Sequence, residues 1–248
     1  VVAESLTGGT LPEPLAQLRQ HGVTVVPHGI RLSLGGAEDL DQHRVAHLAR
    51  CADALDAPLV SEHIAFVRAG GTEAGHLLPV PRTQDALDVL VGNVLSAQAQ
   101  LPVPLALEPI AALFEWPEDE MDEAAFLTEL LDRTGAWLLL DVANVYANAV
   151  NRAAVPGALL ARLPLERIAY VHVAGGSTHD GHYHDTHTDP VPIEVLTLLS
   201  ELCALHQPPA ILLERDGDYP PEAQLRTELD AVARAAGLPL ITGEVPAR

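Results

Sequence analysis

The amino-acid sequence predicts an α/β fold, a (β/α)8 TIM barrel, on the basis of three observations. Short apolar runs alternate with amphipathic helical stretches along the chain, and this alternation favours a parallel sheet. About eight such units fit into 248 residues, a length that suits one closed barrel. The interior must be mainly aliphatic, because 48% of the residues are hydrophobic and only 4% are aromatic. We therefore predict a single TIM-barrel domain over residues 1–248.

Runs rich in branched aliphatic residues are the predicted strands, and longer stretches with helical periodicity lie between them. Several of these stretches begin at Asp, Thr or Pro, as the N-termini of helices do. The predicted strands are residues 1–3, 23–26, 58–60, 103–107, 137–140, 168–171, 211–213 and 239–241. The predicted helices are residues 41–55, 83–100, 122–133, 193–205 and 221–236.

Charge and composition narrow the classes of partner. The net charge of −20 arises from 34 acidic and 14 basic residues, and every basic residue is Arg. Such a field repels a phosphate backbone, so we expect no nucleic-acid partner. No apolar run is long enough to span a bilayer, and we expect a cytoplasmic protein with no membrane partner. Cys51 and Cys203 lie in apolar helical stretches and are expected to be buried, inert thiols.

Residue types that bind metal ions follow six of the predicted strands. In a TIM barrel the reacting groups come from the carboxyl ends of the strands, which meet at one mouth. A single His or Asp at a strand end is more often a hydrogen-bonded scaffold residue or a helix cap. Six such residues together predict a metal site. They are His28, His63, Glu108, Asp141, His172 and Glu214.

The run STHDGHYHDTHTDP adds a denser cluster after the sixth predicted strand. It contains His179, His182, His184, Asp185, His187 and Asp189. We predict Asp185 and His187 as ligands and expect the other histidines to be solvated unless this loop folds over the site. Asn144, three residues beyond Asp141, either caps a helix or contacts the site. The candidate catalytic residues are Asp141, Asn144 and His187.

The donor set discriminates between metals. Imidazoles and carboxylates without thiolate disfavour structural zinc and copper(I), which leaves iron, manganese or catalytic zinc. The donors exceed what one four-coordinate ion needs, so we predict about two or three ions that share a bridging carboxylate. Glu108 or Asp141 is the expected bridge.

The order of the motifs points to a known family. Along the chain stand HG with SLG, SEH, HLLPVP, LE, LLLDVANVY, HVAG, DTH, PV and LLERD. Together they resemble the multinuclear non-haem iron-dependent oxidative enzymes. This family includes the oxidase that makes the copper ligands of methanobactin and relatives that modify cysteines in peptide natural products. The resemblance covers about residues 1–237, and it implies a xylose isomerase-like TIM barrel that holds two or three irons. The ligand pattern of the family falls on His28, His63, Glu108, Asp141, His172, Asp185, His187 and Glu214.

This chain departs from the family pattern beside several of these positions. Glu62 stands where members commonly have Asp, and Pro109 stands where Asn is common. Ala143 replaces the first Asn of DVNNVY, and Arg215 replaces a Trp that often follows the last ligand. The departures imply an atypical substrate or altered surroundings of the ligands.

Three hypotheses follow. The resemblance implies an iron-dependent oxidase that uses dioxygen to modify a residue, expected to be cysteine, of a ribosomally made precursor peptide, with a separate leader-binding protein as a possible accessory. The alternative is a manganese or zinc isomerase or hydrolase of the xylose isomerase and endonuclease IV type. The acidic surface argues against phosphodiester cleavage, and the absence of Lys argues against sugar isomerisation. The third is a metal-storage or partner-binding protein whose acidic loop at 115–120 docks another chain.

Overall fold

The computed structural model describes residues 1–242 of the chain. The chain forms two compact units. The first consists of Val1–Ile110 and Phe114–Leu139, and the second consists of Ala111–Leu113 and the chain from Leu140 onward. A single domain over residues 1–248 stays a prediction.

Parallel strands alternate with helices in the first unit. Its strands are β1 His28–Gly29, β2 Val60–Ala69, β3 Thr72–Pro79, β4 Leu105–Pro109 and the beginning of β5 Trp137–Asp141. Its helices are α1 Glu13–Gln20, α2 Gln42–Leu55, α3 Gln84–Gln98 and α4 Glu123–Thr134, with a short 3-10 helix at Ala3–Ser5. The order β1, β2, β4, β5 is parallel throughout, and β3 folds back antiparallel on β2. The register places His28 opposite Ser61 and His63 opposite Glu108, so the carboxyl ends of three strands lie side by side.

The three longer helices of this unit begin where the sequence predicts. The side chains of Asp41, Thr83 and Asp122 accept backbone hydrogen bonds at the starts of α2, α3 and α4. A cap of this kind stabilises a helix by about 1 kcal/mol. Leu48 and Leu55, one helical face of α2, are almost completely buried. Capping and apolar spacing together explain why these segments are helical.

The second unit repeats the alternation and adds a hairpin. Its strands are the end of β5, β6 Ile168–Val173, β7 Ser177–His179, β8 His182–His184 and β9 Ile211–Leu213. Its helices are α5 Val142–Asn151, α6 Pro156–Leu160, α7 Ile193–Leu205 and α8 Glu222–Ala235, with a 3-10 turn at Leu165–Arg167. The strand order is β5, β6, β9, and β6 pairs with β9 in parallel with His172 opposite Leu212. β7 and β8 form a separate antiparallel pair.

Two predicted strands are wrong, and the one at residues 1–3 is reduced to a single parallel bridge from Val2 to His28 before a 3-10 helix begins at Ala3. Residues 23–26 have no strand assignment, and the ladder with β2 begins instead at His28, whose N–H donates to Val1 O. Residues 239–241 are also irregular. The N–H groups of Ile241 and Thr242 donate to the carboxylate of Asp230 at 2.8 and 3.1 Å, so a helix side chain replaces a strand as their partner.

Two hairpins and three helices were not predicted. Gly70 and Gly71 join β2 to β3, and Asp180 and Gly181 join β7 to β8, all four with positive φ. This is the backbone of a tight two-residue turn that suits the twist of antiparallel strands. The helices not predicted are α1, α5 and α6. The signals for both turns, Gly-Gly and Asp-Gly, are present in the sequence.

The core is aliphatic, as the composition predicts. Leu138, Leu139 and Leu140 of β5 are fully buried, which marks a strand covered on both faces. Burying one such side chain stabilises the fold by about 1.5–3 kcal/mol. Cys51 is buried and Cys203 is half-buried; both are free, and burial raises the pKa of each thiol. Among residues 1–242, no helix has the length and apolar character needed to cross a membrane.

Candidate metal centres

Three side chains converge at the carboxyl ends of β1, β2 and β4 in the first unit. The Nε2 atoms of His28 and His63 lie 3.2 and 3.3 Å from the same atom, Glu108 Oε2. The two imidazole rings are 4.5 Å apart between centroids. His28 and Glu108 are buried and His63 is half-buried. We call these residues the first group; one donor atom from each lies within 4.8 Å of the other two, so the group can hold a metal ion.

Both imidazoles of the first group are oriented through their other nitrogen. His28 Nδ1 lies 2.8 Å from Ser61 Oγ, and His63 Nδ1 lies 3.0 Å from Gly29 O. Because the Gly29 carbonyl can only accept, His63 must donate from Nδ1. Its Nε2 then points at the Glu108 carboxylate. Such outer hydrogen bonds fix the tautomer and direction of a metal-binding histidine.

Glu62 has a structural place beside this group. It is 1% exposed, and its carboxylate accepts hydrogen bonds from Leu32 N at 3.0 Å and His63 N at 2.8 Å. A Cβ at position 29 would lie 2.6 Å from Glu62 Oε2, so Gly29 leaves room for this longer acid. The departure from the family's Asp is thus accommodated within the backbone around the first group.

Electrostatics in the first group favour a positive charge. Burial lowers the pKa of His63, but the hydrogen bond to Glu62 and the charges of Glu108 and Glu62 outweigh it and raise that pKa to about 9. Without metal, both ring nitrogens of His63 therefore carry a proton at neutral pH, and the imidazole is positively charged. A metal cation takes the place of such a proton when it binds.

A second group lies in the second unit at the ends of β5, β6 and β9 and in the loop after β8. His172 Nδ1 is 2.8 Å from Glu214 Oε2, and His187 Nδ1 is 3.5 Å from the same oxygen. His187 Nε2 is 2.6 Å from Asp185 Oδ2 and 3.8 Å from Asp141 Oδ2. The donor atoms of Asp141, Asp185 and His187, and those of His187, Glu214 and Asp216, form sets within 4.8 Å that can hold a metal.

Asp141 has two tasks because its oxygens face different ways. Its Oδ1 accepts hydrogen bonds from Ala143 N at 2.6 Å and Asn144 N at 3.2 Å and so caps α5. Its Oδ2 is the atom near His187. The capping and ligand interpretations of a strand-end Asp are therefore compatible here. Asn144 is buried in the first turn of α5, and Ala143, which replaces an Asn, is fully buried in the core.

His187 is held tightly in an unusual backbone conformation. Its φ is 52°, the left-handed region, which costs about 1–2 kcal/mol for a residue with a side chain. Its carbonyl accepts from Asp216 N at 3.0 Å. Burial lowers the pKa of its imidazole, but hydrogen bonds to Asp185 and Asp216 outweigh burial and raise that pKa to about 12. Asp216, whose Oδ2 is 3.2 Å from His187 Nδ1, was not predicted; its signal was a second acid two residues after Glu214.

A buried ion pair fastens the loop that carries His187. Arg215 donates from Nη1 to Thr188 O and from Nη2 to Glu228 Oε2 of α8, each at 2.5 Å. Glu228 Oε1 also accepts from Val191 N at 2.8 Å. The two side chains are only 6% and 11% exposed. Arg215, which stands where the family often has Trp, therefore ties the loop to the end of β9 and to α8.

Each unit also contains a cavity near its group. One of about 340 Å³ in the first unit is lined by Gly29, Arg31, Arg44, Arg50 and Glu62, among others. One of about 560 Å³ in the second unit is lined by residues that include Thr188, Pro190, Arg215 and Glu228. Both volumes lie in the range of small-ligand pockets.

The remaining residues of the histidine-rich run stay outside both groups. His179, His182 and His184 lie on the β7–β8 hairpin, with the first two exposed and the third half-buried. Asp189 Oδ2 accepts from the hydroxyls of Thr186 and Thr188 at 2.9 and 3.3 Å. The donor sets that remain consist of imidazoles and carboxylates without thiolate, which suits iron, manganese or catalytic zinc.

The family is decided by a match over nearly the whole chain. The model of a family described as RiPP precursor modification enzyme MbnB/TglH/ChrH matches residues 1–237. The chain belongs to this family. The resemblance inferred from the motifs is thereby confirmed, and the MbnB/TglH/ChrH family is one of enzymes that modify RiPP precursors.

Two curated proteins named UPF0276 are similar to this chain over most of its length. A UPF0276 protein of Streptomyces avermitilis is 57% identical over 240 residues, which are 94% of this chain and 49% of the relative. A UPF0276 protein of Caulobacter vibrioides is 36% identical over 236 residues, which are 95% of this chain and 84% of the relative. The chain thus spans about half the length of the Streptomyces relative.

Solved structures of low identity share the fold. Endonuclease IV from Thermus thermophilus has a TM-score of 0.56 at 20% identity, and the match covers 91% of this chain and 84% of that one. A xylose isomerase domain protein from Planctomyces limnophilus has a TM-score of 0.56 at 14% identity, and the match covers 90% and 83%. These likenesses confirm the predicted fold class, an α/β TIM barrel of the xylose isomerase-like type. At such identities they show the fold alone.

Proposed function

We propose that this chain is an iron-dependent oxidoreductase that modifies a residue, cysteine by preference, of a ribosomally made precursor peptide with dioxygen as co-substrate. The observation that carries the proposal is the first group, in a member of the MbnB/TglH/ChrH family. Two imidazoles there are aimed at one carboxylate oxygen by hydrogen bonds on their far nitrogens. This orientation is the one that metal-binding histidines have in proteins.

The proposed ligands fall into the two groups. His28, His63 and Glu108 would hold an ion in the first group, and the others would hold the rest, for about two or three irons per chain. Bound iron would supply the capacity to bind a substrate thiolate and to pass electrons to dioxygen. The proposed ligands of the second group are Asp141, His172, Asp185, His187 and Glu214.

Asp141, Asn144 and His187 are the proposed catalytic residues. His187 holds a proton at Nδ1 beside Asp216, which directs its Nε2 towards Asp141 and Asp185. One oxygen of Asp141 accepts the hydrogen bonds that cap α5. Because these bonds hold the carboxylate in place, the direction of its other oxygen is also fixed. Asn144 is buried in the same helical turn, and the hydrogen bond from its N–H to Asp141 couples the positions of the two residues.

The substrate and partners are part of the proposal. A precursor peptide is the proposed substrate, and an accessory protein that binds its leader is a proposed partner. The chain spans about half the length of the Streptomyces relative. Any activity or partner that would require the full length of such a protein is therefore also a proposal.

The test is an assay with iron and a peptide. The chain is loaded with Fe²⁺ without oxygen and mixed with a cysteine-containing precursor peptide encoded beside its gene. On addition of air we expect a mass change confined to one peptide residue, with oxygen consumed in proportion. His63→Ala should abolish the change, whereas His21→Ala, an exposed histidine at the end of α1, should not. Full turnover without oxygen, or with Mn²⁺ or Zn²⁺ alone, would favour the isomerase or hydrolase alternative.

A further inference from the structure

The β7–β8 hairpin places several histidines on one face. Its strands pair Ser177 with His184 and His179 with His182 across the Asp180-Gly181 turn. Side chains alternate between the two faces of a strand, so these four paired residues share one face of the hairpin. A single register therefore gathers three imidazoles and a hydroxyl.

The opposite face fixes the hairpin to its own unit. Tyr183 is buried there and packs edge-on against Tyr146 of α5, with ring centroids 5.0 Å apart. Asn151 at the end of α5 donates to Tyr183 O at 2.9 Å and accepts from Tyr183 N at 2.8 Å. The backbone of the hairpin is thus bonded to a helix, and its histidine face is presented in one orientation.

The imidazoles on this face are close enough to share an ion. The rings of His179 and His184 are 5.7 Å apart between centroids, and His179 Nε2 is 3.0 Å from Ser177 Oγ. An ion that binds imidazole nitrogens at about 2.0–2.1 Å spans two rings at this separation after small rotations of the side chains. His182 is exposed on the same face of the hairpin.

We propose that this face is a further metal site, separate from the two groups, that takes a divalent first-row transition-metal ion. His179 and His184 are its ligands. Imidazole ligation selects copper, nickel or zinc over magnesium and calcium, which prefer oxygen donors, and a given site binds Fe²⁺ less tightly than Ni²⁺ or Cu²⁺. The site is open to solvent on the side of His179, in contrast to the buried His28 and Glu108 of the first group. The proposal does not depend on the oxidase activity.

Retention of the full, untagged chain on immobilised Ni²⁺ is the direct test, because such a matrix reaches exposed histidines and not buried ones. The variant His179→Ala/His184→Ala should elute without retention. The matched control His21→Ala/His43→Ala removes two exposed histidines from the first unit and should be retained like the unchanged chain. Retention that persists in the hairpin variant, or is lost in the control, would overturn the proposal.

A second measurement guards against a folding defect. His179→Ala alone alters an exposed side chain, so the thermal unfolding of this variant should match that of the unchanged chain. When the variant is titrated with Cu²⁺, its paramagnetic resonance spectrum should lack the nitrogen hyperfine pattern of a two-imidazole site. Iron content after anaerobic loading should be the same in the hairpin variants and the unchanged chain. If the hairpin variants lose iron in parallel, the histidines belong to the second group and the separate site is refuted. If no chain binds iron but the hairpin still binds Ni²⁺, only the proposed function fails.

Discussion

Removing Arg215 tests how the loop of the second group is held. The Arg215→Met variant leaves Glu228 without its ionic partner at a position where only 11% of that side chain is exposed. Breaking a buried ion pair from one side costs about 3–5 kcal/mol, because a charge is left buried and uncompensated. The variant also deprives Thr188 O of its donor, next to His187.

The double variant Arg215→Met/Glu228→Met separates stability from positioning. Replacing both partners of a buried pair by apolar residues is often neutral or stabilising, so we expect the free energy of unfolding to recover most of the loss. Metal binding should not recover. Thr188 O and Val191 N both lose their partners, and loss of groups that orient ligands weakens metal binding by about 10- to 100-fold.

Urea unfolding of the metal-free chains and competition of the loaded chains with a chelator measure the two quantities. The matched control is Arg226→Met, which breaks an exposed pair with Glu222 on α8 and should cost about 0.5 kcal/mol or less. The reasoning is refuted if the double variant is as unstable as the single one, or if metal binding is unchanged in both.

Three further predictions concern the first group. Ser61→Ala, which removes the hydroxyl 2.8 Å from an imidazole Nδ1, should weaken iron binding about 10- to 100-fold with little change in unfolding, as measured by chelator competition. Gly29→Ala should cost about 1–3 kcal/mol in urea unfolding because the new Cβ meets Glu62, whereas Gly92→Ala, in α3 with open space around it, should gain about 0.5–1 kcal/mol. The pKa of His63 rises from 6.5 to about 9 in the folded metal-free chain, so its contribution to stability is complete below pH 6.5 and is lost as pH rises through 9, which unfolding at several pH values can check. Metal affinity should change in the opposite sense and increase across that window, because the ion competes with the proton.

The positions of residues at the carboxyl ends of the predicted strands predict which residues lie close together. His63 and Glu108 are cross-strand neighbours because parallel strands place their carboxyl ends at the same edge. Sequence alone cannot give the direction of each nitrogen. That direction depends on Ser61 Oγ and Gly29 O, which only the folded register brings to the imidazoles.

The errors have local physical causes. Apolar residues at 23–26 and 239–241 resemble strands, but strand identity depends on a partner ladder that a pattern does not reveal. Asp230 provides such a partner from a helix. α5 was missed because Asp141 was interpreted as a strand end and a metal ligand and no helix was predicted after it, although its side chain also caps the helix that follows.

Other features are set by tertiary contacts. The sequence gives no hint that Arg215 and Glu228 are paired, since they lie 13 positions apart and the pair forms only when α8 packs beside the end of β9. Asp216 is similar, because its role depends on the left-handed backbone of His187. By contrast, the Asp-Gly turn of the histidine hairpin is a local signal and was predictable.

The most direct test of the proposed function is the metal content of the chain purified without oxygen, by mass spectrometry with Mössbauer spectroscopy. We expect about two or three irons per chain, consistent with the number of donors. Glu108→Ala should remove iron from the first group and Glu214→Ala from the second, each leaving part of the total. A chain that holds only zinc or manganese, and takes up no iron on anaerobic reconstitution, would contradict the proposal.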